Sequence, residues 1–213
     1  MRVPNGDMKP ITILIVDDHP IMRVGIQAIL NAQTDFQVVA QAGTAVEAVR
    51  IFAAQRPDLT LMDLRLPDRS GVEAIREIKK LSPDAKIIVL TTYEGDEDIH
   101  QALAAGAQGY LIKGMSHDAL VKALYRVHGG SRFLPNVVTQ TLSSRVPGMH
   151  LSQREQQVLE LMFAGKSNRE IANLLAIKEA TVKSHVSVIL LRLNVSDRTQ
   201  AVVEGLKRGL VHL

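Results

Sequence analysis

The stretch that most constrains this chain is a short apolar run that ends abruptly in an acid. Residues 59–62, LTLM, have the composition of a buried strand, and Asp63 follows where that strand ends. Pro67 lacks a backbone donor and residues 68–71, DRSG, are typical of a turn, so the strand cannot continue. Because reactive side chains collect at the carboxyl ends of parallel strands, Asp63 is a candidate site residue.

Two further acids follow a second apolar run. Residues 11–16, ITILIV, are apolar almost throughout, as expected for a parallel strand covered on both faces, and Asp17 and Asp18 come directly after it. Three carboxylates at neighbouring strand ends repel one another unless a cation neutralises them. Oxygen ligands suit a hard ion, so Asp17, Asp18 and Asp63 are the predicted ligands of Mg²⁺.

Two more strand ends complete the predicted site. Residues 86–90 lead into Thr91, and residues 109–112 lead into Lys113. The site would then hold three acids, a hydroxyl and an ammonium. These groups can move a phosphoryl group onto a carboxylate while its negative oxygens are held by a metal and a lysine.

In this order, these residues resemble the receiver domain of bacterial two-component response regulators. The resemblance implies that a sensor histidine kinase phosphorylates Asp63, with Mg²⁺ also held by a carbonyl near Arg65. It implies that Thr91 and Lys113 hold the phosphoryl oxygens and that Tyr110 moves inward as a switch. His19 is either a metal ligand or a helix-start residue, and its hard oxygen neighbours favour the second interpretation.

Five strand–helix alternations over residues 11–129 predict an α/β fold, a doubly wound parallel five-stranded sheet with helices on both faces. Residues 1–10 are expected to be a flexible leader. Residues 130–150 mix Ser, Thr, Gly and Pro without sustained periodicity, which predicts a linker with a short helix around 135–142. The absence of cysteine excludes disulfides and thiolate metal sites, and no apolar run approaches the ~18 residues that span a bilayer. We expect a cytoplasmic protein with no membrane partner.

Residues 151–213 show helical spacing only, which predicts a small all-α domain of four helices. A capping box, Ser152 with Glu155, opens the first helix, and two short helices joined by a tight turn indicate a helix-turn-helix. Net charge is −2 over residues 1–129 and +5 over residues 130–213, which favours a polyanionic partner for the second part. The runs LSQRE, GKSNREIA, TVKSHV and RTQA resemble the LuxR-type DNA-binding domain, so the whole chain looks like the NarL/FixJ class of response regulators.

The helix predicted over residues 179–193 has two faces. One apolar stripe should face the core, namely Val182, Val186, Ile189, Leu190 and Leu193. The opposite face should enter the major groove of double-stranded DNA, where the expected base contacts are Lys183, Ser184, Ser187 and Val188. Phosphate contacts are expected from Asn168, Arg169, Thr181, His185 and Arg192, although His185 could equally be a packed structural residue.

Two positions depart from the family pattern. Lys178 stands where a serine usually caps the third helix of this domain, which should cost about 1 kcal/mol of stability. Glu179 recovers part of this loss through the helix dipole. Gly114 stands where many receivers have proline, which leaves the peptide after Lys113 freer.

The resemblance implies a transcriptional regulator whose phosphorylation releases the DNA-binding domain and favours a homodimer on paired half-sites. RNA polymerase is a further candidate partner, and no enzyme activity beyond slow self-dephosphorylation is expected. One alternative is a Mg²⁺-dependent phosphohydrolase with an aspartyl nucleophile. Such enzymes have an Asp-x-Asp motif, with both carboxylates after one strand, whereas here Leu64 and Arg65 follow Asp63. Another is a DNA-binding protein whose receiver only dimerises, although no acid or lysine of the receiver pattern is missing.

Overall fold

The computed structural model describes residues 9–92, 95–143 and 151–211, and the chain divides into two compact units. One unit contains residues 1–92 and 99–139, and the other contains residues 93–98 and 140–213. Residues 1–8 of the predicted leader and 144–150 of the predicted linker lie outside the described residues. Within the described ranges, no helix is long and apolar enough to cross a membrane.

The first unit is built on the predicted five-stranded parallel sheet, with strand order β2-β1-β3-β4-β5. The strands are β1 (Ile11–Val16), β2 (Phe36–Ala42), β3 (Leu59–Met62), β4 (Ile87–Thr91) and β5 (Gly109–Ile112). β2 includes Gln41 and Ala42, which pair with Ile15 and Val16 at the end of β1. Thr91 is the last residue of β4 rather than the residue after it.

Five helices accompany these strands, and local signals explain where most of them begin. They are α1 (Pro20–Asn31), α2 (Ala45–Gln55), α3 (Gly71–Leu81), α4 (Asp96–Ala104) and α5 (His117–His128). Thr44, Ser70 and Ser116 cap α2, α3 and α5 with side-chain oxygens that accept backbone hydrogen bonds. α1 has no side-chain cap and instead begins with Pro20, whose missing N–H leaves no donor unsatisfied there.

Burial explains why β1 and β3 read as continuous apolar runs. All four residues of β3 are buried, and the core around the sheet is mainly aliphatic. Val16 pairs with Met62, and Met62 pairs with Val89, so β1, β3 and β4 end side by side. The sheet thereby sets the positions of the residues that follow these strands.

The remaining elements are helices. They are α6 (Asn136–Ser143), α7 (Gln153–Phe163), α8 (Asn168–Leu174), α9 (Glu179–Leu193) and α10 (Arg198–Lys207). α6 coincides with the helix predicted within the linker. The predicted capping box of Ser152 and Glu155 is present, and a second one, Ser167 with Glu170, starts α8. α7 to α10 share one apolar core.

Candidate phosphoacceptor site and nucleic-acid interface

Backbone hydrogen bonds continue the sheet just beyond the strand ends and bring the predicted site residues to one edge. The N–H of Asp63 donates to the carbonyl of Val16 at 2.9 Å, and that of Asp17 donates to Ala42 at 3.1 Å. The N–H of Lys113 donates to the carbonyl of Thr91 at 2.7 Å. Five segments that are distant in the sequence, one at the end of each strand, therefore meet at the carboxyl edge of the sheet.

The ammonium of Lys113 lies between two buried carboxylates. Its Nζ is 2.7 Å from Oδ2 of Asp17 and 2.5 Å from Oδ2 of Asp63. The acids are 1% and 2% exposed. Burial alone would lower the pKa of Lys113, but the hydrogen bonds that its ammonium donates to both carboxylates, together with their negative charge, outweigh burial, so this pKa is raised. The stability that this pairing contributes to the fold is therefore fully present at neutral pH. It is lost only as the pH rises through the raised pKa of Lys113.

The other carboxylate oxygens are also engaged. Oδ1 of Asp17 accepts from the N–H of His19 at 2.9 Å, and Oδ1 of Asp63 accepts from the N–H of Arg65 at 3.2 Å. The side chain of Asp18 is about one-third exposed, and its Oδ1 is 2.6 Å from Nδ1 of His19. Ligand atoms of Asp17, Asp18, His19 and Asp63 all lie within 4.8 Å of one another, so this acidic cluster is compatible with a metal site.

His19 occupies the N-cap position of α1, which confirms the interpretation of a helix-start residue. The structure also places its imidazole against both neighbouring acids, a contact that the sequence interpretation did not include. The adjacency of Asp17, Asp18 and His19 was the available signal. This adjacency does not specify the direction of the side chain, which the sequence therefore left open.

Two predicted residues of the site are fully buried. Thr91 is 0% exposed, and its hydroxyl has no hydrogen-bond partner within the described part of the chain. Burial of a hydroxyl without a hydrogen-bond partner is unfavourable in free energy. The Thr91 hydroxyl is therefore a candidate donor to a bound group. Tyr110 is also 0% exposed, so it is already inward without phosphorylation, whereas the resemblance implied an inward movement; its N–H donates to the carbonyl of Phe133 at 2.9 Å.

Two residues that had been interpreted only as turn formers support the segment that follows Asp63. A Cβ on Gly71 would lie 2.0 Å from the carbonyl oxygen of Asp63, so only glycine permits this close approach. The carboxylate of Asp68 accepts from the N–H groups of Ala45 and Val46, both at 2.9 Å, at the start of α2. Burial raises the pKa of Asp68, but the backbone hydrogen bonds outweigh it and the pKa is lowered.

The helix-turn-helix consists of α8, a turn and α9. The predicted core stripe of α9 is confirmed, because Val182, Ile189 and Leu193 are buried and Val186 and Leu190 pack against the same cluster. On the opposite face Lys183, Ser184 and Ser187 are exposed, Val188 is half-buried and Leu191 is 76% exposed. One face of α9 is thus available to a partner.

Local bonds organise this exposed face. Nζ of Lys183 is 3.1 Å from a carboxylate oxygen of Glu179, one helical turn earlier. The hydroxyls of Ser184 and Ser187 donate to the carbonyls of Ala180 and Lys183, each at 3.1 Å. Both hydroxyl oxygens retain lone pairs that can accept from a ligand.

The residues expected to contact phosphates lie in different surroundings. Arg169 and Thr181 are exposed, and His185 is half-buried. Oδ1 of Asn168 accepts from Arg198 at 3.3 Å. Arg192 forms an ion pair with Glu155, a 6% exposed residue that also closes the capping box of α7. The guanidinium of Arg192 therefore has a structural partner that the sequence interpretation did not foresee.

Lys178 occupies the N-cap position of α9 and makes no side-chain capping bond, as expected from the departure noted in the sequence. Glu179 is the acid in the first turn. The turn before α9 contains Ala176 with φ +51°, a left-handed conformation that is unusual for alanine.

Comparison with known families assigns both parts of the chain. Residues 13–125 match the response regulator receiver domain, and residues 149–204 match the bacterial regulatory proteins of the luxR family. Asp17, Asp18, Asp63, Thr91, Tyr110 and Lys113 lie in the first match, and the proposed face of α9 lies in the second.

Individual relatives match along nearly the whole chain. The uncharacterized transcriptional regulatory protein YhcZ of Bacillus subtilis is 41% identical over 93% of this chain and 96% of its own length. The transcriptional regulatory protein DegU of Brevibacillus brevis is 39% identical over 94% and 95%.

Solved structures agree. RcsB from Salmonella enterica serovar Typhimurium, bound to a promoter with the phosphomimetic BeF3−, has 26% identity and a TM-score of 0.71 over 92% of this chain and 98% of its own. The response regulator ChrA of a heme-sensing two-component system has 34% identity and a TM-score of 0.57, over 95% and 100%. This chain therefore belongs to the NarL/FixJ class of two-component response regulators, with a receiver domain followed by a LuxR-type helix-turn-helix domain.

Proposed function

We propose that this chain is a phosphorylation-controlled DNA-binding transcriptional regulator, with Asp63 as the phosphoacceptor. The observation that carries the proposal is the arrangement of Asp63, Asp17 and Lys113 at one sheet edge. A buried carboxylate is held there by an ammonium at 2.5 Å and accepts a backbone bond from Arg65. The hydroxyl of Thr91, which has no hydrogen-bond partner among the described residues, is a second donor at the end of the neighbouring strand.

In the proposed step, a sensor histidine kinase supplies the phosphoryl group. A carboxylate oxygen of Asp63 attacks phosphorus, and a P–O bond forms while the P–N bond to the kinase imidazole breaks. The imidazole leaves with the electron pair of that bond. Lys113 and Thr91 donate to the phosphoryl oxygens, whose negative charge replaces the charge that Asp63 presents to Lys113. Tyr110, which is already buried in this structure, would then be held in its inward position as the conformational switch.

The residues present fit Mg²⁺. Asp17, Asp18 and Asp63 offer hard carboxylate oxygens whose ligand atoms lie within 4.8 Å of one another, and a carbonyl near Arg65 is the further ligand we propose. When bound, Mg²⁺ supplies charge neutralisation for the phosphoryl oxygens. Lys113 pairs with Asp17 and Asp63 but offsets only one of the three carboxylate charges, so two negative charges remain for Mg²⁺ to balance.

We propose that the receiver accepts one phosphoryl group and releases it slowly, rather than acting as a phosphohydrolase. Leu64 and Arg65 follow Asp63, so no second carboxylate comes from the same strand end to serve as a general acid. Incubation with a small phosphoester distinguishes the two activities. A response regulator gives at most one equivalent of product per chain in a rapid phase, whereas a phosphohydrolase continues to turn over.

The output we propose is binding of α9 in the major groove. Lys183, Ser184, Ser187 and Val188 would contact base edges. Asn168, Arg169, Thr181 and His185 would contact phosphates. RcsB supports this proposal, since structures include an RcsB–DNA complex and two RcsB dimers bound to two parallel DNAs. In our proposal phosphorylation releases α9 from obstruction by the receiver and favours a homodimer on paired half-sites, from which the regulator acts on RNA polymerase.

The phosphoacceptor assignment is tested by incubating the full chain with acetyl phosphate and Mg²⁺ and measuring its intact mass. The wild-type chain should gain one phosphoryl group, which hydroxylamine should remove because it cleaves acyl phosphates. Asp63→Asn preserves volume and removes the nucleophile, so it should gain none. Asp84→Asn changes an exposed acid away from the site and is the matched control. Undiminished labelling of Asp63→Asn would remove Asp63 from this role.

A further inference from the structure

Arg23 of α1 reaches back to the backbone of the acid pair. Its Nη1 donates to the carbonyl oxygen of Asp17 at 2.6 Å, and its own N–H donates to the carbonyl of His19 at 3.2 Å. The turn that carries Asp17 and Asp18 is therefore closed by a side chain six positions after Asp17.

A second set of bonds holds the guanidinium from the other side. Nε of Arg23 donates to Oε1 of Gln41 at 3.2 Å, and Nε2 of Gln41 donates to Oε1 of Gln27 at 2.9 Å. Gln41 lies in β2 and pairs with Ile15 of β1, two residues before Asp17. The planar guanidinium thus joins α1, β2 and the β1–α1 turn in a fixed geometry that a lysine cannot reproduce.

This connection matters because Mg²⁺ requires near-ideal octahedral geometry at about 2.0–2.1 Å and tolerates little displacement of its ligands. Rotation of the Asp17–Asp18 peptide would move the carboxylate of Asp18, which Lys113 does not hold. The bond from Arg23 resists that rotation. Partners that orient metal ligands in this way typically contribute 10–100-fold in metal affinity.

We propose that Arg23 is a positioning residue for the metal site, acting through the Asp17 carbonyl and not by contact with the ion or the phosphoryl group. The proposal rests on the function proposed above. Arg23→Met should raise the Mg²⁺ concentration for half-maximal labelling by acetyl phosphate about tenfold. The labelling rate at saturating Mg²⁺ should stay within about twofold, because no group that touches the phosphoryl is removed.

Three further variants separate positioning from charge. Arg23→Lys keeps the positive charge but loses the planar guanidinium that bonds both the Asp17 carbonyl and Gln41. Its half-saturating Mg²⁺ concentration should therefore lie between those of wild type and Arg23→Met. Gln41→Met removes the second anchor of the guanidinium and should also give an intermediate value. Arg50→Met replaces an exposed arginine of α2 and should match wild type. Thermal melts in the absence of metal verify that each variant is folded.

Direct binding of Mn²⁺, measured by electron paramagnetic resonance, provides a readout that needs no phosphoryl transfer. Weaker Mn²⁺ binding in folded Arg23→Met, with Arg50→Met unchanged, would support the proposal even if wild-type chain were never labelled. Unchanged Mn²⁺ binding and an unchanged half-saturating Mg²⁺ concentration in folded Arg23→Met would overturn it. A saturating rate that falls as much as the affinity would also overturn it, since that result would place Arg23 in the transfer step.

Discussion

At the scale of single residues, the receiver site depends on one ammonium that compensates two buried carboxylates. Asp17 and Asp63 would each carry an unbalanced charge without Lys113, and an unpaired buried charge costs far more than an exposed one. In the unphosphorylated chain, Lys113 therefore contributes to the stability of the fold. After phosphorylation it would bind the product, so the same side chain would serve both states.

Lys113→Met should destabilise the metal-free chain by about 3–5 kcal/mol, since it leaves both carboxylates without their shared partner. Mg²⁺ should recover part of this loss, and the increase in melting temperature on adding Mg²⁺ should be larger for Lys113→Met than for wild type. Differential scanning calorimetry with and without Mg²⁺ measures both effects.

Lys80→Met, which alters an exposed lysine of α3, is the control for this experiment and should respond to Mg²⁺ as wild type does. An equal Mg²⁺ effect in Lys113→Met and wild type would show that the ammonium and the metal do not balance the same charges.

At the scale of elements, α9 combines an exposed face, which we propose contacts DNA, with an N-terminus that lacks a side-chain cap. Its N-cap residue, Lys178, makes no capping bond, whereas α7 and α8 both begin with complete capping boxes. The ion pair of Arg192 with Glu155 joins the far end of α9 to the start of α7. Because the N-terminus of α9 lacks a side-chain cap, this helix depends more on its packing in the shared apolar core and on the ion pair of Arg192 with Glu155.

Lys178→Ser should restore the missing cap and stabilise the start of α9 by about 1 kcal/mol. Hydrogen exchange on the full chain should show slower exchange for the amides of residues 180 and 181, which would gain the serine oxygen as acceptor. Lys178→Ala removes the same lysine without adding an acceptor and serves as control. Equal protection in the serine and alanine variants would contradict a capping effect.

Two basic residues of this domain should affect DNA binding in different ways. Lys183→Ala should weaken binding to the preferred sequence by about 1–3 kcal/mol and relax preference at one base pair. Arg169→Ala should weaken binding to all sequences alike and reduce the salt slope by about one. Affinities measured on specific and scrambled duplexes at several salt concentrations separate these results. A uniform loss for Lys183→Ala would move it to the phosphate-contacting group.

The elements themselves could be predicted because their signals are local. Apolar runs of four to six residues, turn formers and capping residues lie within a few positions of the structure that they specify. The convergence of Asp17, Asp63 and Lys113 also followed from sequence, since parallel strands share a carboxyl edge.

Contacts between distant segments had no such signal. The bonds from Ala45 and Val46 to Asp68 join residues 23 and 22 positions apart, and the pair of Arg192 with Glu155 joins residues 37 positions apart. Their formation depends on helix packing that periodicity does not encode. The imidazole of His19 was missed for another reason, because its cap position was predicted correctly and only the direction of its side chain was not.

At the scale of the whole molecule, the proposal requires a chemical event at Asp63 to change the binding of α9 to DNA. A single recognition helix reads only a few base pairs, so useful selectivity requires two domains on paired half-sites. Phosphorylation can shift this equilibrium only through a difference in free energy between the two states. Couplings of this kind are typically about 1–3 kcal/mol, or 5–150-fold in affinity.

The most direct test measures the affinity of the full chain for a selected DNA fragment before and after phosphorylation, at one salt concentration. Phosphorylated wild type should bind at least about fivefold more tightly than unphosphorylated wild type. Asp63→Asn treated with acetyl phosphate should stay at the unphosphorylated value, and the fragment 146–213 should bind more tightly than the unphosphorylated full chain. Equal affinity of wild type before and after one full equivalent of phosphorylation would contradict control of DNA binding through Asp63.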